Sequence, residues 1–343
     1  AGVTFPRGTA TVVYAGGFLW AGLVRDGSLP ALRVGGQTYN SGTVPGRIVR
    51  PGVSENPDNA DVRIYRVRRD WANGDLRKDA SEYFDTPASE VSQGQIDGLR
   101  EQYRRDWMEW PWQKGAPYYE RNGLPGYQPA SGGISDSAND EPGLGGADQV
   151  IWFVANDLNS GATTQLYGSP PVGIELQVTC WAYARQEPLR NVIFERCRII
   201  YKGTATTPTT ARIDSLYLAK WVDPDIGDFS DDYAACDAGK SLAIAYNSAP
   251  SDSRYADFNL VPPVIGYDFL QGPRVPASGA TGRWDLRTIP GYRNLPMTAF
   301  YYFTKDSRTT DFVFGQYDIS RQFWNILRGY RPLPIAVPQC FTD

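Results

Sequence analysis

Short runs of β-branched and aromatic residues recur along this sequence, and clusters of proline and glycine separate them. The chain has 343 residues with 26 Pro and 35 Gly, which leaves room for few long helices. Residues 62–67 alternate apolar and charged side chains, and 150–155, 173–183, 192–201 and 213–221 are further short runs rich in apolar residues. Alternation of this kind is typical of half-buried strands. Many such strands with turn signals between them predict a mainly β fold, an antiparallel β-sandwich or barrel-like domain.

One amphipathic helix is predicted near 87–107. Thr86 can cap it and Pro87 suits its first position. An apolar stripe at spacings of three and four consists of Ile96, Leu99, Tyr103 and Trp107. We interpret this stripe as core packing and not as a ligand site. A second, short helix is expected at 322–329.

The region 121–146 contains Asn-Gly, Pro-Gly, Gly-Gly and Asp-Glu-Pro-Gly with almost nothing to bury. These dipeptides predict a Gly/Pro-rich surface loop. The loop divides the chain into an N-terminal β region with the helix, 1–120, and a C-terminal β-sandwich, 147–343. A fold in which the two β regions form one unit stays open.

Charge and hydropathy exclude two classes of partner. The formal net charge is −4 and the pI is about 5.1, so no basic face is implied and nucleic acid is not expected. The most apolar stretch, 12–24, is rich in glycine and shorter than the roughly 18 apolar residues of a membrane helix. We therefore expect no membrane insertion.

A turn-rich run at 221–237 holds six aspartates directly after a strand-like segment. Carboxylates this close repel one another unless they are solvated or share a hard cation, and calcium takes oxygen ligands of this kind. The spacing differs from an EF-hand, because Gly227 takes the fifth position and no Glu closes the loop. The alternative is a solvated acidic turn. The predicted calcium ligands are Asp223, Asp225, Asp228, Asp231 and Asp232.

Four cysteines allow three disulfide connectivities. Cys180 and Cys197 lie almost symmetrically about a predicted turn at 186–191, which favours a cross-strand disulfide. Cys236 and Cys340 would then pair with each other. No CxxC motif is present and zinc spacing is absent, so buried thiols are the alternative to disulfides.

The sequence contains no histidine, which removes Ser-His-Asp and Cys-His catalysis and histidine-ligated metals. The remaining enzymatic option is a pair of carboxylates, as in glycosidases. No pair stands out in the sequence, and we expect a protein without catalytic activity. The candidate acids are Asp106, Glu109, Asp148, Asp157 and Glu175.

Aromatic residues cluster after the predicted helix and could stack on sugar rings, although packing is the alternative. The candidate glycan contacts are Trp110, Trp112, Tyr118 and Tyr119. A separate tripeptide, Asp-Ser-Ala at 136–138, is similar to the short acceptor sequence for O-linked sugars in Bacteroidota. It makes Ser137 a candidate O-glycosylation site.

Several stretches together resemble large extracellular proteins of Bacteroidota and related phyla, which are commonly exported by the type IX secretion system with a C-terminal sorting domain. The similar segments are 15–22, 110–117, 148–157, 167–178, 192–203, 223–237 and 263–273. The resemblance implies secretion and a β-rich surface protein, but the family has no settled activity to carry over. No recognisable sorting domain follows 330–332, so we expect either a shorter relative or cleavage on export.

These observations predict an extracellular structural protein of the cell surface that assembles with copies of itself into a filament or layer. Residues 1–10 and 331–343 favour extended chain and are the expected contacts between subunits. The alternative functions are a glycan-binding module that recognises surface glycans and, third, a carboxylate-dependent glycan hydrolase.

Overall fold

A computed structural model describes residues 2–130, 138–185, 187–284, 287–303 and 314–332. These residues form several antiparallel sheets with helices packed on them, which confirms the predicted mainly β class. The chain divides into two compact units. The described residues of Ala1–Thr43, Asn159–Val172 and Pro208–Asp343 make up the first unit, and those of Val44–Leu158 and Gly173–Thr207 make up the second.

The strands and helices are short and follow one another closely. The strands are β1 Val3–Thr4, β2 Thr11–Val13, β3 Ala15–Arg25, β4 Leu32–Gly36, β5 Val44–Pro45, β6 Ile48–Arg50, β7 Val53–Ser54, β8 Tyr65–Arg68, β9 Tyr118–Tyr119, β10 Glu141–Pro142, β11 Gln149–Asn156, β12 Ile174–Ala182, β13 Ile193–Tyr201, β14 Arg212–Asp223, β15 Asp232–Asp237, β16 Leu242–Asn247, β17 Val264–Asp268, β18 Arg274–Trp284 and β19 Arg287–Asn294. The helices are α1 Arg77–Tyr83, α2 Gln93–Met108, α3 Ser160–Tyr167, α4 Ser253–Ala256 and α5 Tyr317–Leu327. None of the helices in the described ranges has the length and apolar content that crossing a membrane would require.

The main sheet of the second unit has the order β13-β12-β11, with β5 and β8 both paired to β11. Trp152 of β11 lies opposite Tyr65 of β8 on one side and Thr179 of β12 on the other. Strands from before and after 121–146 therefore share this sheet. The two units consequently do not follow the predicted boundaries at 120 and 147.

Helix α2 covers one face of this sheet. It begins at Gln93 and not near 87, because Ser92 caps it in a capping box with Gln95. All four residues of the predicted stripe are buried, and they pack with sheet residues such as Trp152 in one core cluster. The interpretation of the stripe as core packing is confirmed.

The described parts of 121–146 are more tightly held than a surface loop would be. Asp140 and Glu141 are buried, and Glu141 lies in strand β10, paired to β9. Tyr127 is also buried and donates a hydrogen bond to the Trp107 carbonyl, 2.8 Å away. The turn dipeptides therefore mark bends between packed segments.

The first unit contains the sheet β14-β3-β4, and helices α3 and α5 pack against it. The predicted helix at 322–329 corresponds to α5, which begins five residues earlier at Tyr317. Leu19, Leu166 and Phe323 belong to the core between this sheet and these helices.

A second sheet of the first unit has the order β15-β16-β17. The buried Tyr255 of α4 belongs to the small core beside this sheet. Its hydroxyl donates a hydrogen bond to the Phe5 carbonyl at 2.8 Å. Strand β1 also pairs with β2. Residues 3–5 are thus bonded within their own chain. The expected contact of 1–10 with another subunit stays a prediction. Of 331–343, only residues 331 and 332 are described.

Candidate functional site

A pocket of about 360 Å³ opens beside the C-terminal end of α2 in the second unit. Its lining combines aromatic rings with two carboxylates and one ammonium group. The lining residues are Asp61, Tyr65, residues 108–114 and Tyr127.

The local sequence explains how one segment supplies most of this lining. Helix α2 ends at Met108, and a single 3₁₀ turn at Trp112–Lys114 follows Pro111. Gly115 ends the turn with a left-handed φ of 107°, which favours glycine. A Cβ atom there would also lie 2.5 Å from the Gln177 amide oxygen. This tight turn brings Trp112 and Lys114 to the same pocket.

The aromatic wall contains part of the predicted glycan-contact set. Trp110 is buried and donates its indole N–H to the Pro117 carbonyl at 2.7 Å, whereas Trp112 is 37% exposed. Tyr118 lies edge-on to Trp112, with 6.0 Å between the ring centroids. Tyr119 is exposed on β9 and is not among the lining residues. The structure therefore brings Trp110 and Trp112 to the pocket, with Tyr118 as packing beside them.

Each carboxylate of the pocket is bonded to a cationic side chain. Lys114 Nζ lies 2.6 Å from Asp61 Oδ2 and 3.3 Å from Glu55 Oε1. Arg63 lies 3.0 Å from Glu109 Oε2. The hydrogen bond from Lys114 holds the pKa of Asp61 below its ordinary value.

The two signs of charge differ in their access to solvent. The side chains of Asp61 and Glu109 are 60% and 58% exposed. Those of Lys114 and Arg63 are each 19% exposed. The carboxylates are therefore the charged groups that an incoming ligand meets first.

Two of the other candidate acids bind backbone amides in the interior. Asp106 is buried and accepts hydrogen bonds from Arg63 and from the Arg66 backbone N–H, both at 3.0 Å. Asp157 is also buried, and its Oδ1 accepts the backbone N–H groups of Gly173 and Ile174. These contacts give both acids a structural role.

The last two candidate acids are also bonded to other residues of the fold. Asp148 accepts hydrogen bonds from the Ala184 backbone and the Arg185 guanidinium. Glu175 is fully buried and is bonded to Lys202. Of the five predicted acids, Glu109 is the one that lines the pocket.

Asp61, Lys114 and Tyr127 are pocket residues that sequence reasoning missed. Lys114 follows the Trp-Pro-Trp motif by two residues, so the motif itself was the available signal. Asp61 is 53 residues away from Lys114 along the chain, and no local pattern connects the two.

The aspartate-rich run connects β14 to β15 in the first unit. Asp223 ends β14 and Asp232 begins β15. Asp228 Oδ1 accepts the Ser230 backbone N–H at 3.0 Å, as in an Asx turn. Within the described ranges, no three acidic or thiol side chains come together as a group able to hold a metal ion. Calcium binding by all five aspartates stays a prediction.

The run is not a fully solvated turn. Burial, together with the neighbouring charge of Asp223, raises the pKa of Asp225 to about 6. Burial also raises the pKa of Asp232 to about 6 despite a hydrogen bond from the Ile226 N–H, and nearby aspartates add to the shift. These carboxylates are therefore costly to keep ionised without a positive partner.

The cysteine positions contradict the predicted Cys180–Cys197 disulfide. Cys197 lies opposite Val178, and Cys180 lies opposite Glu195, so the two cysteines are offset by two positions across β12 and β13. Both side chains are thiols. Diagonal positions are farther apart than the Cβ spacing of a disulfide allows. Cys236 is also a thiol, and its predicted partner Cys340 lies outside the described residues, as does the candidate glycosylation site Ser137.

No family model matches this sequence, and neither the curated proteins nor the solved structures contain a match. The resemblance to extracellular proteins of Bacteroidota, and the secretion that it implies, therefore stay predictions.

Proposed function

We propose that the protein binds glycans through the pocket beside the end of α2. The observation that carries this proposal is the exposed ring of Trp112 at a pocket that also presents Asp61, Glu109 and Lys114. An aromatic ring packs on the apolar face of a sugar, while carboxylates accept and an ammonium group donates hydrogen bonds to hydroxyls. Polar groups placed among aromatic side chains are a common design of small-ligand sites.

The charges of the pocket support binding over hydrolysis. A glycosidase needs one carboxylic acid that stays protonated at the working pH, and its pKa is raised for that purpose. The pKa of Asp61 is shifted in the opposite direction by Lys114. Asp61 is therefore suited to accept hydrogen bonds and not to protonate a leaving group.

The same charges indicate a class of glycan. Because the exposed groups are the carboxylates Asp61 and Glu109, an anionic sugar would meet like charge at the rim. Neutral sugars and sugars that carry a free amine would meet hydrogen-bond acceptors. The expected ligands are neutral or amine-bearing glycans, in preference to sialylated or sulfated ones. Such a binder fits the extracellular location that the resemblance implies.

A glycan array tests the proposal with wild type and the Trp112→Ala variant. The matched control is Trp284→Ala, because Trp284 lies in the first unit and is also 37% exposed. We expect wild type and Trp284→Ala to bind the same neutral or amine-bearing glycans. Loss of the stacking ring in Trp112→Ala should weaken binding by about tenfold or more, the effect of losing a binding hot spot. Absence of binding by wild type, or equal binding by both variants, would overturn the proposal.

A second candidate function is self-association through the exposed face of the sheet β15-β16-β17. Tyr233, Tyr246 and Val264 lie directly opposite one another across the three strands, and all three are exposed. Contiguous apolar residues on a sheet face are typical of protein contacts. Sedimentation velocity tests this candidate with the Tyr233→Ser/Tyr246→Ser variant and Tyr83→Ser as an exposed control. A concentration-independent monomer for wild type would eliminate it.

A further inference from the structure

Three buried side-chain oxygens at the start of β15 and the end of β16 have no hydrogen-bond donor in the part of the chain that the structure describes. They are Asp231 Oδ1, Asp232 Oδ1 and Asn247 Oδ1. Asp232 on β15 and Asn247 on β16 are direct cross-strand partners, so both side chains lie on the same face of the sheet. A buried acceptor without a partner is unfavourable, and here two of them stand opposite each other.

The orientation of the Asn247 amide is fixed by its other bonds. Asn247 is only 9% exposed, and its Nδ2 donates to the carbonyls of Ala249 and Ser251 at 3.0 and 3.2 Å. Only the NH₂ end of an amide can donate to a carbonyl. The remaining atom, Oδ1, must therefore be an oxygen that seeks a donor or a cation.

The loop before β15 brings a second carboxylate near this pair. The Ile226 backbone N–H donates to Asp232 Oδ2 at 2.8 Å, which places the residue next to Asp225 against Asp232. The Asp225 carboxylate also lies close enough to Asp232 for the two like charges to repel each other. Two partly buried carboxylates and one amide oxygen therefore share a region without a positive side chain bonded to them in the described contacts.

We propose that Asp225, Asp232 and Asn247 bind a calcium ion. Calcium takes carboxylate and amide oxygens, and backbone carbonyls and water can complete its six to eight ligands. The proposed set differs from the five aspartates predicted from the sequence. It contains two acids and an amide, which is consistent with the lack of any group of three acids in the described residues.

Two other acidic residues of this region have different partners. Asp231 Oδ2 accepts a hydrogen bond from the Ser248 hydroxyl at 3.0 Å, and Asp252 caps a helix. Asp252 accepts the backbone N–H groups of Arg254 and Tyr255 at the start of α4, and that of Asp228. A Cβ atom on Gly227 would lie only 2.0 Å from Asp252 Oδ1, so this carboxylate is enclosed by backbone. Asp252 therefore serves as a cap and holds the loop in place.

Isothermal titration calorimetry with calcium chloride, after removal of metal with EDTA, tests the proposal. Wild type should bind calcium, with a dissociation constant of about 1 mM or tighter as in extracellular modules, and bind magnesium more weakly. Asp225→Asn and Asp232→Asn each remove one charged ligand, and the second keeps an oxygen for the Ile226 N–H. Each should weaken calcium binding by about 10-fold or more.

Asp237→Asn is the matched control, because Asp237 lies on the same strand and is bonded to Lys240 outside the proposed set. It should bind calcium as wild type does. Circular dichroism and thermal unfolding in EDTA show whether each variant is folded before its titration is interpreted. Both test variants lose a carboxylate from a region of like charge, so both should fold.

Two results would overturn the proposal. If wild type gives no binding heat and calcium does not raise its melting temperature, no calcium ion binds. A water molecule, or a proton shared by Asp232 and Asn247, then satisfies the two unpaired oxygens. If both test variants bind calcium like wild type, the ion binds elsewhere. Neither readout involves a glycan, and the residues belong to the first unit, so the outcome is independent of the proposed pocket in the second.

Discussion

Glu175 and Lys202 form an ion pair in the second unit, with 2.6 Å between Oε2 and Nζ. Glu175 is fully buried, and its carboxylate also accepts the Ile48 backbone N–H at 2.7 Å and the Gln177 amide at 2.8 Å. The Lys202 ammonium donates as well to the Ile48 carbonyl. One charged pair therefore joins β12 and the end of β13 to β6.

We predict that Lys202→Met strongly destabilises the protein. Removal of one partner leaves the Glu175 charge buried, which typically costs about 3–5 kcal/mol of unfolding free energy. The double variant Glu175→Gln/Lys202→Met should recover part of this loss, because no charge is then left in the interior. Urea denaturation gives the unfolding free energy of wild type, of Lys202→Met and of the double variant. The exposed pair Lys240–Asp237 supplies the control, and Lys240→Met should change little. A loss no greater in Lys202→Met than in the control would contradict the prediction.

A second prediction concerns acid stability and the ion pair between Asp26 and Arg33. Both side chains are almost completely buried, 3.0 Å apart. Burial alone would raise the pKa of Asp26, but hydrogen bonds from Ser28 and Arg33 outweigh it and hold the pKa below the ordinary 3.8. The unfolded chain therefore takes up a proton at higher pH than the folded chain does. The pair stabilises the fold above about pH 4, and this stabilisation is lost as the pH falls through the folded pKa.

Thermal unfolding of wild type and Asp26→Asn between about pH 5 and pH 2 tests this loss of stability on acidification. At pH 5 the variant should melt at a lower temperature than wild type. Its melting temperature should then fall less on acidification, so that the two curves approach each other. Asp318→Asn is the control, because Asp318 is exposed, and its curve should stay parallel to that of wild type. Parallel curves for Asp26→Asn would contradict the assignment.

The strands were more predictable than the helices, for a local reason. Strands β11, β12, β13 and β14 lie where short runs of β-branched and aromatic residues predicted them, since the residues that mark a strand are neighbours in the sequence. Helix α1 was missed, because its seven residues bury only Asp79 and Ala80 and show no apolar stripe. The start of α2 was misplaced because Thr86 and Pro87 also satisfy the rules for a helix start.

The candidate site was predictable only where its residues are neighbours in the chain. Trp110 and Trp112 were found as a motif, whereas Asp61 reaches Lys114 only through the fold. By sequence alone, Asp157 and Glu175 are candidate catalytic acids. Their partners are backbone N–H groups and a distant lysine, which a sequence does not reveal.

A third prediction concerns the capping box that sets the start of α2. Ser92 Oγ accepts the Gln95 backbone N–H at 3.2 Å, and Gln95 Oε1 accepts the Ser92 backbone N–H at 2.9 Å. Ser92→Ala should reduce the unfolding free energy by about 1 kcal/mol. Chemical denaturation of Ser92→Ala, Gln95→Ala and the double variant forms a mutant cycle. The double variant should lose less than the sum of the single variants, because the two bonds belong to one motif. Strict additivity would show that the reciprocal bonds do not act together.

The last prediction separates the shape of the pocket from the stability of its loop. Gly126 has a φ of 84°, and a Cβ atom there would lie 2.9 Å from Trp112 Cζ2, whereas Gly123, with a φ of 69°, has nothing within 4 Å of its Cβ position. Alanine in a left-handed conformation costs about 1–2 kcal/mol, so Gly126→Ala and Gly123→Ala should share a similar backbone penalty. Only Gly126→Ala should displace the Trp112 ring. We expect it to shift the tryptophan fluorescence and to weaken binding of the glycans that wild type binds, while Gly123→Ala keeps both properties. Equal fluorescence and equal binding in the two variants would show that the position of Trp112 does not depend on Gly126.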